Sequence, residues 1–141
     1  MLHAYKEQPR TKLTLIRRLI ETDSKVLTIK VDKKRLVRRD AHELYNDLTL
    51  LLIEKAFAVT GTDRIVLTAP MKDTDESQKE LFIAAIENAF GEAIEVYIKK
   101  PHEAKSLQVA DCASWGLFRY YEYGDDTYYT MLKPILHEYD Y

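Results

Sequence analysis

Cysteine is almost absent. Cys112 is the only one in 141 residues, which excludes an intramolecular disulfide and a zinc site built from thiolates. Glycine is scarce too. Of the four present, Gly61, Gly91 and Gly124 fall where helix C-caps are expected, and Gly116 lies inside a helical pattern. None is left to build a phosphate-cradling loop, so P-loop and dinucleotide-binding fingerprints are excluded. No G-x-S-x-G elbow and no H-E-x-x-H pair occurs. No apolar run approaches the roughly 20 residues that span a bilayer. The N-terminal MLHAYKEQPRTK lacks an apolar signal core, so a cytoplasmic, reducing location is expected. Charge of one sign is lacking as well. A net charge of −2 creates no global field to recruit nucleic acid, and such binding would require a local patch.

What the chain has is an alternation of elements. Leu13, Ile16, Leu19 and Ile20 follow Pro9 at helical spacing. VLTIKV, Val26 to Val31, is short and β-branched and reads as a strand. Asp40 with Glu43 forms a capping-box start for a helix carrying Leu44, Leu48, Leu51, Leu52 and Ala56 and closed by Gly61. The pattern repeats with a strand at Arg64 to Ala69 and a helix opened by Thr74 or Asp75. That helix carries Leu81, Ile83, Ala84, Ile86 and Phe90 and ends at Gly91. A third strand, Ala93 to Ile98, precedes a helix that runs to Gly124. Asp125 or Asp126 then caps a short last helix interrupted by Pro134. This order predicts one α/β domain over residues 1–141, three-layered, with a small, mostly parallel sheet of about three strands flanked by helices. So small a parallel sheet leaves an edge for a second copy, a partner chain or the terminal segments to cover.

Sites in open α/β sheets form beyond the carboxyl ends of the strands. Those ends carry Asp32, Lys33 and Lys34, then Met71, Lys72, Asp73 and Asp75, then Lys99, Lys100, His102, Glu103 and Lys105. Carboxylates and lysines gathered there could hold a divalent cation and a phosphate, although charged loops belong at strand ends in any case. The basic run KKRLVRR, Lys33 to Arg39, could meet a phosphate backbone or serve as a solvated loop. His3, His42, His102 and His137 are scattered and fit surface or capping roles. Cys112 is expected to pack as a small hydrophobe. Ten tyrosines occur, and Tyr120, Tyr121, Tyr123, Tyr128 and Tyr129 cluster. Rings with polar tips suit a helix-packing corner, a partner interface or a base-stacking surface.

SLQVADCASW, Ser106 to Trp115, is the sharpest lead. At about 100° per residue, Asp111 falls on the side of Leu107, Trp115 and Phe118. An acid among such neighbours loses hydration and requires a partner or a job.

The stretch Ser106 to Leu136 resembles the C-terminal signature of a bacterial and phage family, the domain-of-unknown-function family 3800. Its members carry an S-x-LQ-x-AD helix and an FR-x-YE-x-GD-like ending. VDKK, Val31 to Lys34, and LYNDLTLLL, Leu44 to Leu52, fit as weaker pieces. The resemblance implies a ribonuclease H-like fold and divalent-metal phosphodiester cleavage of nucleic acid, with magnesium or manganese as the cofactor. It implies Asp111 as the catalytic, metal-binding carboxylate. Ser106 and Gln108 belong to the same motif, as substrate-binding residues with Lys33, and Tyr45 matches a further position. Members usually begin with a strand ending in Asp-Glu-Ser-Gly, which this chain lacks, and Ala69 and Pro70 stand where an aspartate is expected. Asp32 and Asp73 would have to complete the metal set. The chain therefore resembles the C-terminal portion of a larger ribonuclease H-like domain, truncated or catalytically degenerate. The other expectation is a non-catalytic interaction module that dimerises or binds a partner through a sheet edge or the tyrosine-rich C-terminal helices.

Overall fold

The computed structural model describes residues 9–32, 34, 36, 40–70 and 76–141. Among them run α1 (Pro9–Glu21), β1 (Val26–Lys30), α2 (Ala41–Thr60), β2 (Ile65–Pro70), α3 (Glu76–Phe90), β3 (Ile94–Lys99), α4 (Lys105–Tyr123), α5 (Thr127–Leu132) and β4 (Leu136–Asp140). The class is α/β, as expected, with small sheets flanked by helices. Among the described residues the strand count is four rather than three.

The helix boundaries follow local chemistry. Asp40 accepts from the backbone N–H groups of His42 and Glu43 and starts α2. Gly61, at φ 67°, ends it, a left-handed conformation that costs glycine least. Gly124, at φ 70°, ends α4 in the same way. The opening of α3 lies outside the described residues.

The chain divides into two compact units, residues 1–26 with 100–137, and residues 27–99 with 138–141. In the first, α1 packs on α4 and α5. Its core is Ile16, Ala113, Leu117, Tyr128 and Leu132. Gly116 belongs here because a Cβ on it would lie 2.8 Å from the Cβ of Tyr128. The bare backbone lets α4 approach α5 that closely. Trp115 meets Tyr128 edge-on at 4.8 Å, and the Lys12 ammonium sits 3.7 Å over the Trp115 ring. Lys12 is only 5% exposed, so the ring face takes the place of much of its lost hydration.

In the second unit β2 and β3 are parallel, with Ile65 opposite Ile94, Leu67 opposite Val96 and Ala69 opposite Ile98. These apolar residues share one face, and α3 packs against β3. With Ile53, Phe82 and Ile86 they make the core of the unit. Alternate residues face outward, with Val66 65% and Tyr97 43% exposed. Tyr97 donates to Glu95 on that outer face, and the neighbouring carboxylate raises its phenol pKa.

β1 and β4 form a separate two-stranded sheet. Their carboxyl ends meet, where the Tyr141 amide donates to the Lys30 carbonyl at 2.9 Å and Lys30 lies 3.5 Å from Asp140. The terminal segment thus pairs with β1, and the single sheet of about three strands expected from the sequence is replaced, among the described residues, by two sheets of two strands each.

Candidate functional site

α4 carries the candidate residues, and its burial pattern corrects the helical-wheel expectation for Asp111. The buried residues of the helix are Leu107, Cys112, Ala113, Gly116 and Leu117. Asp111 is exposed, and Phe118 is 51% exposed. Leu107 suggested the buried face wrongly, because it lies in the first turn, beside the 3-10 turn at Pro101–Glu103 that packs on α4. Further along, Ala113 and Leu117 pack with Ile16 of α1 and with Tyr128 and Leu132 of α5, the bare Gly116 lets those helices come close, and Cys112 is buried as well. The face that carries Asp111 is turned to solvent.

That solvent face has a regular make-up. Asp111, Ser114, Phe118, Tyr121 and Glu122 are all exposed and recur at i, i+3, i+7, i+10 and i+11, a single stripe of the helix. From Asp111 to Glu122 it extends about 16 Å along the axis. Two carboxylates therefore bracket two aromatic rings. Tyr123, 66% exposed, extends the aromatic area at the end of the helix, where its ring meets Phe118 edge-on at 5.8 Å. The Arg119 guanidinium lies 4.9 Å over the Tyr123 ring.

The tyrosine cluster divides into two roles. Tyr128 is buried, and Tyr129 stacks on Tyr120 at 3.9 Å and 15°, so these three join α4 to α5. Tyr121 sets its ring edge-on to Tyr120 at 5.2 Å and Tyr129 at 6.2 Å and leaves 40% of itself in solvent, while Tyr123 is 66% exposed. The turn between the helices is held by Asp125, which accepts from the Thr127 hydroxyl at 2.7 Å and the Thr127 amide at 3.2 Å. Arg119 Nε donates to the same carboxylate at 3.3 Å. The Thr127 bonds, with Arg119 behind them, hold the Asp125 carboxyl below its ordinary pKa.

The remaining sequence candidates fall as follows. Ser106 is exposed in the first turn of α4, and Gln108 donates to the Pro101 carbonyl at 3.4 Å. Asp32 is exposed and accepts from the Lys34 amide at 3.0 Å. Tyr45 packs its ring 5.6 Å from Phe82. Glu103 is occupied locally, accepting from the Lys100 amide at 2.9 Å. Lys33, Asp73 and most of the basic run lie outside the described residues. Asp111 belongs to the first unit and Asp32 to the second. Among the described residues no three His, Cys, Asp or Glu side chains converge. A divalent cation takes several converging oxygens, so Asp111 and Asp32 do not by themselves fit magnesium or manganese.

Two features went unnoticed at the level of sequence. One is a shallow groove of about 490 Å³ in the second unit, lined by Asp47, Leu50, Leu51, Glu54, Phe90 and Tyr141. The other is the outer face of α1, where Arg10, Thr14, Arg17 and Arg18 are exposed at i, i+4, i+7 and i+8. The arginines were visible in the sequence, and the apolar positions Leu13 and Ile16 already implied that they face away from the core.

No helix among the described residues is long and apolar enough to cross a membrane. The chain matches no protein-family model, no curated protein and no solved structure.

Proposed function

We propose that the chain is a non-catalytic interaction module that binds a protein partner through the solvent face of α4. The observation that carries this reading is the exposure of three aromatic residues, Phe118, Tyr121 and Tyr123, at 51%, 40% and 66%. Aromatic side chains supply the anchors of protein interfaces, because they bury large area with few torsions to freeze. The acids around them, Asp111, Glu122 and Asp126, are exposed too. They repel a phosphate backbone, which favours a protein partner over nucleic acid.

The reading is tested by selecting a displayed random-peptide library on the folded chain and on Phe118→Ser/Tyr121→Ser. Enrichment on the wild type that disappears on the variant is expected. Equal enrichment on both overturns the reading.

A second reading, a ribonuclease H-like nuclease or a remnant of one, is favoured by a single observation. Asp111, the residue the family resemblance singles out, is displayed to solvent on α4, where a ligand can reach it. Its test is manganese-supported cleavage of labelled oligonucleotides. Cleavage that is lost in Asp111→Asn would establish this reading and displace the first.

A further inference from the structure

We infer that the partner of the α4 face is the α1 face of a second copy of this chain, which rests on the interaction-module reading. The two outer faces of the first unit are opposite in charge. α4 presents Asp111 and Glu122 on either side of Phe118 and Tyr121, while α1 presents Arg10, Arg17 and Arg18 and no acid before Glu21 at its end. Both stripes are built on helices held by one core, since Ile16 of α1 packs with Ala113 and Leu117 of α4. The two faces are therefore presented on a fixed scaffold.

The dimensions match. Arg10 to Arg18 extends about 12 Å along α1, and Asp111 to Glu122 about 16 Å along α4. An α1 helix laid on α4 can thus bring arginines to both carboxylates while crossing the rings. Arginine is suited to both parts of the stripe, because a guanidinium pairs with carboxylates and stacks flat on aromatic faces. The chain already contains that second contact, in Arg119 over Tyr123. One copy carries both faces on helices that pack through their inner sides, so α1 of one copy lies on α4 of the next and the association runs head to tail. Thr14, between the arginines of α1, is small enough to leave room for the rings of Phe118 and Tyr121. Its own hydroxyl is turned back to the Arg10 carbonyl at 2.9 Å and asks for no partner across the interface.

The test is sedimentation equilibrium of the full chain over a wide concentration range, with three variants. Arg17→Glu/Arg18→Glu and Asp111→Arg/Glu122→Arg are each expected to weaken association by about tenfold or more, because each turns attraction into repulsion. All four substitutions in one chain, or an equimolar mixture of the two variants, should restore it. Wild-type association should also weaken as salt is raised, since exposed charge pairs are screened. Far-UV circular dichroism checks the fold of each variant, and Phe118→Ser supplies an uncharged route to the same loss. A wild-type chain that stays monomeric throughout overturns the inference, and so does association that neither reversal changes. Charge reversals without restoration in both the combined chain and the mixture overturn it as well. A monomeric chain that still selects peptides through Phe118 and Tyr121 brings down the second-copy inference alone. Peptide selection indifferent to those rings brings down the reading beneath it.

Discussion

Gly116 is a residue whose reason lies entirely in its neighbour. In a helix interior glycine costs about 1 kcal/mol relative to alanine, so Gly116→Ala would stabilise an isolated α4. Here the new methyl would meet Tyr128 Cβ at 2.8 Å. Overpacking of that kind costs about 1–3 kcal/mol, and the close contact is to the base of a side chain, which cannot swing away. Gly116→Ala should lower the midpoint of urea unfolding, and a rise would contradict the packing of α4 on α5. Asp40 makes a different prediction. Bonds from the Glu43 and His42 amides hold its carboxyl below the ordinary 3.8. A folded-state pKa below the unfolded one means a contribution complete above about pH 4 and lost as pH falls through the folded value. Stability should therefore fall on acidification below pH 4, and Asp40→Asn should flatten that fall while keeping an acceptor for the α2 amides. Melting temperatures measured from pH 6 down to pH 2 check both statements.

At the scale of elements, α4 shows how a helix can mislead when small residues share its buried side with a single leucine beyond the first turn. Leu107, Trp115 and Phe118 are the largest apolar side chains on their side, yet along the middle of the helix the buried positions are Cys112, Ala113, Gly116 and Leu117, with Trp115 packed against their margin. Exposed positions away from caps and cores change stability little, by about 0.5 kcal/mol. Tyr121→Ser gives up edge-on contacts with Tyr120 and Tyr129 and should cost about 0.5–1.5 kcal/mol, whereas Phe118→Ser should leave urea unfolding near wild type while removing the ring at the centre of the stripe. A large loss of stability in Phe118→Ser would mean that this ring serves the core. β4 is the other element that local pattern did not reveal. LHEYD carries two acids and a histidine in five residues and reads as polar tail after Pro134. It becomes a strand through its pairing with β1, at contacts such as Tyr141 to Lys30, and no local preference announces a partner more than a hundred residues away.

For the molecule as a whole, two separate apolar clusters carry the stability. One centres on Leu132 and Ile16, the other on Phe82 and Ile86, all at 0–1% exposure. Removing a fully buried large side chain costs about 2–5 kcal/mol through lost transfer energy and the cavity left behind. Leu132→Ala should therefore destabilise the unit built on α1, α4 and α5, and Phe82→Ala the unit built on β2, α3 and β3. Hydrogen exchange, read residue by residue, checks that each substitution acts first on its own cluster. An even loss of protection over the whole chain after either one would contradict two distinct cores.

Element order, the α/β class and most helix ends were legible because they depend on neighbours a few residues apart. Asp40 and Gly61 delimit α2 through bonds to the next turn, and β-branched runs mark β1, β2 and β3. The scarcity of cysteine and glycine likewise excluded whole classes of chemistry from composition alone. What only the tertiary structure decided was which side of each element faces inward. A helical wheel ranks residues by their own hydrophobicity, whereas burial is settled by how closely another element can approach. On α4 the small residues allow that approach, and Asp111 is therefore left on a solvent face beside Phe118, Tyr121 and Glu122. The same packing leaves the arginines of α1 outward. Sequence determined that these acids, rings and arginines exist at helical spacing, and the three-helix core, by taking up the opposite faces, made them surfaces.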